Sequence, residues 1–211
     1  MKKYASFIFI FFSLITLIAQ NDPKARELLE EVTRKFESYE NVTVDFVYEL
    51  YNPEAGVKQE TNGKVYFKNN KYHAEYMGII DIFDGKKRYV IVPENQEVNV
   101  MTVNEEEEVT PASMFDFYKK GYRFKMDIKQ PAGGRTVQYI KLFPINDNEV
   151  DYVLIGIDIK TKNIYKIIIV QKNKTRITIR IRKFTTNVPL SDRLFVFDRT
   201  KYADYFINDL D

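Results

Sequence analysis

Few side chains in this 211-residue sequence are of types that do covalent chemistry, and their spacing narrows the options further. There is no cysteine, no tryptophan and a single histidine, His73. Without a thiol or a second imidazole, nucleophile-plus-base arrangements lose their usual members, and a histidine metal cluster is excluded. His73 lies between Tyr72 and Ala74 in an alternating run, which predicts a structural or surface role. Thirty acidic residues allow carboxylate pairs of the kind that cleave glycosides. Asp81, Asp84, Asp151 and Asp158, however, fall where strand ends and turns account for them. The acidic run 105–108 lacks the alternating oxygen spacing and glycine of a calcium loop and reads as a solvated turn. Gly133 and Gly134 lack the strand–glycine–helix context of a phosphate cradle. Asn41 and Asn173 open glycosylation sequons, a pattern that recurs by chance. No catalytic residue, cofactor or metal ligand is expected.

Charge points the same way. Of 32 basic and 30 acidic residues, Lys2 and Lys3 belong to an export-type N-terminus, so the remainder is formally neutral. A neutral chain lacks the basic field that nucleic-acid binding requires. Lys172, Lys174, Arg176, Arg180, Arg182 and Lys183 do cluster along one hairpin. Alternation against Ile177, Ile179 and Ile181 assigns them to an outer face, for solvation or for docking.

The N-terminus reads as a signal peptide over residues 1–20, with a charged start, an apolar run from Tyr4 to Ile18 and a cleavage point near Ala19. That run is short for the roughly 20 residues of a membrane span, the competing signal-anchor reading. No cysteine follows to accept a lipid, so a periplasmic location is expected, with residues 21–211 as one domain.

Asp22 and Pro23 predict a capped helix over 22–39, with Ala25, Leu28, Leu29, Val32, Phe36 and Tyr39 as its apolar stripe. Strands of period two follow at 42–51, 57–68, 71–77, 79–83, 87–92 and 97–103. Thr110 and Pro111 open a short helix to 119, carrying Met114, Phe115, Phe117 and Tyr118. Further strands are expected at 122–129, 136–143, 152–159, 164–171, 175–184 and 194–197, before a polar-aromatic tail. So many sequential hairpins must curl or close, because a flat sheet exposes long edges. The expected fold is mainly β with helices (α+β). It is an incomplete, strongly curved antiparallel β-barrel whose apolar concave face is covered by the N-terminal helix and the short central one.

The order of these signals resembles the periplasmic outer-membrane lipoprotein carrier (LolA) family. The matching segments are the N-terminal helix leading into Val44 and Phe46, then 63–72, 80–86 and the turn near Pro93. Thr110 with Pro111, 139–144, Ile157 with Asp158, Ile164, Asn187 and 194–197 complete the match over nearly the whole chain after the signal segment. The resemblance implies a non-enzymatic, monomeric carrier that takes acylated lipoproteins from an inner-membrane lipoprotein-releasing ABC transporter towards an outer-membrane acceptor. It also implies helices that act as a lid. Many members have an arginine-proline pair at the turn occupied here by Asn69 and Asn70, and that arginine is linked to lid closure. Lys71 and His73 are the substitutes on offer.

On this reading the cavity lining comprises Val44, Phe46, Val65, Phe67, Tyr76, Ile80, Met101, Phe124, Leu142, Ile157 and Ile168. Phe36, Met114, Phe115 and Phe117 are the lid candidates. The competing readings are a carrier of another apolar molecule (lipid, glycolipid or pigment precursor), an envelope hydrolase using buried acids, and a purely structural sheet.

Overall fold

The computed structural model describes residues 21–103, 117–119, 121–147 and 149–210. The expectations for residues 1–20, for 105–108 and for Met114 and Phe115 lie outside them.

Asp22 caps helix α1 (Pro23–Glu37), its Oδ1 accepting the N–H groups of Lys24 (2.9 Å) and Ala25 (3.4 Å). Proline at the first helical position has no N–H to leave unpaired, so both local signals agree. The carboxylate also accepts from Met126 N–H at 3.2 Å, while Asn21 Oδ1 accepts from Phe124 N–H at 2.8 Å. The start of the helix is therefore pinned to the sheet as well as capped. Ala25, Leu28, Leu29 and Val32 form the buried stripe.

The strands are β1 (Asn41–Asn52), β2 (Val57–Lys68), β3 (Lys71–Tyr76), β4 (Ile79–Phe83), β5 (Lys87–Val92) and β6 (Glu97–Thr102). Further along the chain come β7 (Tyr122–Ala132), β8 (Arg135–Pro144), β9 (Val150–Asp158), β10 (Ile164–Gln171), β11 (Arg176–Thr186) and β12 (Phe206–Asp209). All twelve join one curled sheet in the order β12-β6-β5-β4-β3-β2-β1-β11-β10-β9-β8-β7. Two meanders, β1 to β6 and β7 to β11, meet along the antiparallel β1–β11 pair.

The sheet is open, as an incomplete barrel implies, with β7 and β12 as its edges. Three details differ from the sequence reading. Residues 194–197 are not a strand: Ser191 caps a 3-10 turn, Asp192–Phe195, instead. The tail forms a further 3-10 turn and then β12, which runs parallel to β6. Of the expected central helix, the described part is a single 3-10 turn, Phe117–Lys119.

The two faces of the sheet have separate cores. On one face, α1 packs on Phe124, Ile140, Leu142, Val153, Ile155 and Ile157. On the opposite face, Ile82, Ile91, Val98 and Val100 are covered by Phe197, Tyr202, Tyr205 and Ile207. Phe197 stacks on both Tyr89 (4.7 Å) and Tyr202 (5.5 Å), so the C-terminal segment is held by an aromatic ladder.

Candidate functional site

The buried core beneath α1 is built from β7, β8 and β9. Beside the helix, over β9, β10, β11, β1, β2 and β3, a cavity of about 560 Å³ remains. Val44, Phe46 and Tyr48 of β1 face it, with Val65 and Phe67 of β2 and Tyr72, Ala74 and Tyr76 of β3. On the other side stand Ile155, Ile164, Ile167, Ile169, Ile177, Ile179 and Ile181. Period-two side chains on six neighbouring strands thus present one aliphatic and aromatic wall.

The helix closes one flank. Leu29, Val32 and Phe36 reach the cavity, and Phe36 meets Phe67 edge-on at 5.6 Å. Tyr39, just past the helix, packs against Phe184 at 6.0 Å. Lys162 and Asn163, on the β9–β10 turn, are the polar members of the rim, and Lys162 Nζ pairs with Glu31 of α1 at 2.5 Å. Tyr118, buried in the 3-10 turn, also lines the cavity and sits edge-on to Phe124 at 5.7 Å.

One charged cluster lies on the same face. Asp81 is 3% exposed and accepts from Arg88 (2.6 Å to Oδ2) and from the Tyr72 hydroxyl (2.9 Å). Burial, then the Asp81 charge, push the Tyr72 phenol well above its ordinary range. The hydrogen bond to Asp81 raises the Arg88 guanidinium further still. Burial likewise raises the phenols of Tyr48 and Tyr76. These tyrosines are neutral at physiological pH and present no charge to the cavity.

The expected lining divides into four groups. Val44, Phe46, Val65, Phe67 and Tyr76 border the cavity. Phe124, Leu142 and Ile157 stand on the α1 face but under the helix, in solid core. Met101 shares that face by register, through Arg88, Phe83 and Tyr72, yet lies outside the cavity. Ile80 and Ile168 are corrections of register. Ile80 packs with the core of the opposite face, and Ile168 alternates with Ile167 and Ile169, which hold the cavity side. Of the lid candidates Phe36 reaches the cavity, and Phe117 falls in the 3-10 turn. His73 is not near it: its Nδ1–H donates to the Leu194 carbonyl (2.7 Å) and Nε2 lies 3.0 Å from Glu75. Neither His73 nor Lys71 borders the cavity.

Three of the acids singled out in the sequence have structural partners. Asp84 and Asp158 cap turns through backbone N–H groups, and Asp81 holds its ion pair. Asn41 is buried and accepts from Val188 N–H, which removes it as a glycosylation candidate. Among the described residues no cluster of three metal-ligating side chains occurs, and no helix is long and apolar enough to cross a membrane.

Comparison with known proteins matches the family model for the outer membrane lipoprotein carrier protein LolA over residues 37–198. No curated protein matches the sequence. Among solved structures, an uncharacterized conserved protein from Thermus thermophilus superposes with a TM-score of 0.61 at 8% identity, covering 88% of this chain and 99% of that one. A LolA superfamily protein from Nitrosomonas europaea gives 0.45 at 12% identity, covering 82% and 97%. LprF from Mycobacterium bovis gives 0.49 at 10% identity, covering 82% and 98%. Matched over most of its length by the family model, and folded over the described residues as one curled sheet with one long helix, the chain belongs to the LolA family.

Proposed function

We propose that this protein is a periplasmic, non-enzymatic carrier that shelters the acyl chains of lipoproteins in the cavity beside α1 and moves them from the inner towards the outer membrane. The observation that carries the proposal is the cavity itself, a wall of aliphatic and aromatic groups on six strands with one flank closed by a helix. Each buried methylene is worth about 0.8 kcal/mol, so a long acyl chain gains on the order of 10 kcal/mol by leaving water. Nothing in the lining reacts with such a chain.

Release needs a competitor for the same surface, and α1 is placed to supply it. Its N-terminal half is locked by Asn21 and Asp22 onto β7. Its C-terminal half touches the cavity through Phe36 and is tied to the β9–β10 turn by Glu31 and Lys162. That ion pair is partly solvated, so it costs little to break, on the order of 0.2–1 kcal/mol. The helix end is therefore the lid, and Glu31–Lys162 is its tether in place of the family arginine. An inner-membrane ABC transporter loads the monomeric carrier and an outer-membrane acceptor unloads it.

A second reading, carriage of another apolar molecule, is favoured by one feature. The lining recognises hydrocarbon, with no charged side chain pointing to a specific headgroup except at the Lys162 rim. Recovery of the protein from the periplasm, with mass spectrometry of whatever co-purifies, separates the two. Acylated polypeptides support the lipoprotein role; free lipid, glycolipid or pigment precursors alone would replace it.

A further inference from the structure

Strand β2 is twice as long as its neighbour β3. Antiparallel pairing between them covers Gly63 to Lys68 only. Residues 57–62 continue along β1, from Asn52 opposite Val57 onward, and among the described residues no strand pairs with their other edge. At about 3.3 Å per residue that edge is about 20 Å long, with backbone N–H and C=O groups projecting alternately. Lys58, Gln59, Glu60 and Asn62 are exposed.

The other edges are guarded. Along β7 the register breaks between Met126 and Lys129, Pro131 removes a donor, and Gln138 Nε2 donates to the carbonyls of Asp127 (2.9 Å) and Ile128 (3.3 Å). β12 is four residues long. The run 57–62 has neither proline nor a break in its register with β1.

A second hollow, about 590 Å³, opens where this edge begins. Thr61, Asn62 and Gly63 border it, with Met77 and Gly78 of the β3–β4 turn. Phe46 and Tyr76 belong to this hollow and to the acyl cavity alike, so two aromatic rings form the partition. Gly63 lets one of them sit there: a Cβ at that position would lie 2.3 Å from Phe46 Cζ. The ring tip occupies the space a side chain would fill, and a ring can swing where backbone cannot.

We propose that the polypeptide attached to a cavity-bound acyl chain passes this partition and adds as an extended strand to residues 57–62 of β2. This rests on the acyl-carrier reading above. Main-chain pairing tolerates any cargo sequence, as a carrier of many lipoproteins requires, whereas side-chain pockets would select among them. The occupant is thus the N-terminal segment of an acylated polypeptide, held by its backbone. Among the described residues, the Lys162 end of the cavity offers no such unpaired strand.

Backbone hydrogen exchange on the full chain tests this with three probes: an N-acylated heptapeptide, the same peptide without its acyl group, and the free fatty acid. Displacement of a fluorescent fatty acid reports cavity occupancy in parallel. The acylated peptide is expected to slow exchange within 57–62 at least tenfold, and the fatty acid to displace the fluorophore without that protection. An acylated peptide N-methylated at alternate amides should bind at least tenfold more weakly than its parent. Equal protection by acylated peptide and fatty acid would overturn the strand-addition proposal while leaving the carrier role standing. So would photocrosslinks from the peptide that fall on Lys162 and Asn163 rather than 57–62. Failure of both acyl probes to displace the fluorophore would overturn the carrier reading, and this proposal with it.

Discussion

Ala74 offers the sharpest perturbation of the cavity. It lies at the centre of β3, opposite Val65 and Asp81, with its methyl facing the cavity. Ala74→Leu adds three carbons to that space. If an acyl chain occupies it, the ligand must withdraw an equivalent length of hydrocarbon, at about 0.8 kcal/mol per methylene, or about 2.4 kcal/mol in total. That loss corresponds to a roughly 50-fold rise in Kd. The free protein has empty volume at this point, so its stability should be unchanged or slightly raised. An overpacked core would instead lose about 1–3 kcal/mol. Competition against a fluorescent fatty acid, read for 12- and 16-carbon chains beside a urea titration, measures both quantities. The longer chain should lose more than the shorter, because the shorter one can settle elsewhere in the cavity. Unchanged affinity for both chains in a stably folded variant would show that the ligand does not lie against β3.

Other expectations concern the lid, the buried pair and the helix start. Lys162→Glu places like charges across the Glu31 tether; stability should fall by less than about 1 kcal/mol, while fatty-acid exchange measured by stopped flow should speed up. Unaltered exchange would dissociate α1 from gating. Arg88→Met strands the buried Asp81 carboxylate; because Arg88 is one-third exposed, a loss of about 3 kcal/mol, the lower end for broken buried pairs, is expected in urea unfolding. Asp22→Ala removes the cap and the link to Met126, and should cost about 1 kcal/mol at neutral pH. Hydrogen bonding from Met126 N–H, the largest cause, holds the Asp22 carboxyl below its ordinary value. Its contribution is therefore present above the unfolded value near 3.8 and disappears as pH falls through the lower folded one. Wild type and Asp22→Ala should converge in stability under strong acid, as thermal unfolding at stepped pH would record.

The parts of the fold set by local rules were legible in the sequence. Asp22 and Pro23 marked the helix, and alternation located β1 to β11 to within a few residues. Alternation failed where both faces are apolar. In Ile164–Gln171 nearly every residue is hydrophobic, so Ile168 and Ile167 were equivalent on paper, and only pairing with β9 and β11 decides between them. Strand β4 inverted the usual pattern. Its Asp81 faces inward to Arg88 and Tyr72, and Ile80 and Ile82 turn outward beneath a C-terminal segment more than a hundred residues away. Phe124, Leu142 and Ile157 lie in the core beneath α1, because which part of a face the helix fills is set by docking rather than periodicity. Leu194 to Phe197 looked strand-like, yet a run so short carries little periodic information beside the Ser191 cap. Tyr118 reads only as an apolar residue of the short central helix, because periodicity there does not tell a cavity-facing ring from a core one.

The most direct measurement places the ligand. A lipopeptide with a photoreactive group at the end of its acyl chain is bound to the wild-type protein, irradiated, and the labelled residues are identified by peptide mass spectrometry. Label on Val44, Ile167 and Ile179, inside the cavity, is the predicted result. Label confined to the opposite face around Ile80 and Ile168, or none above that given by an unacylated control, would contradict the account.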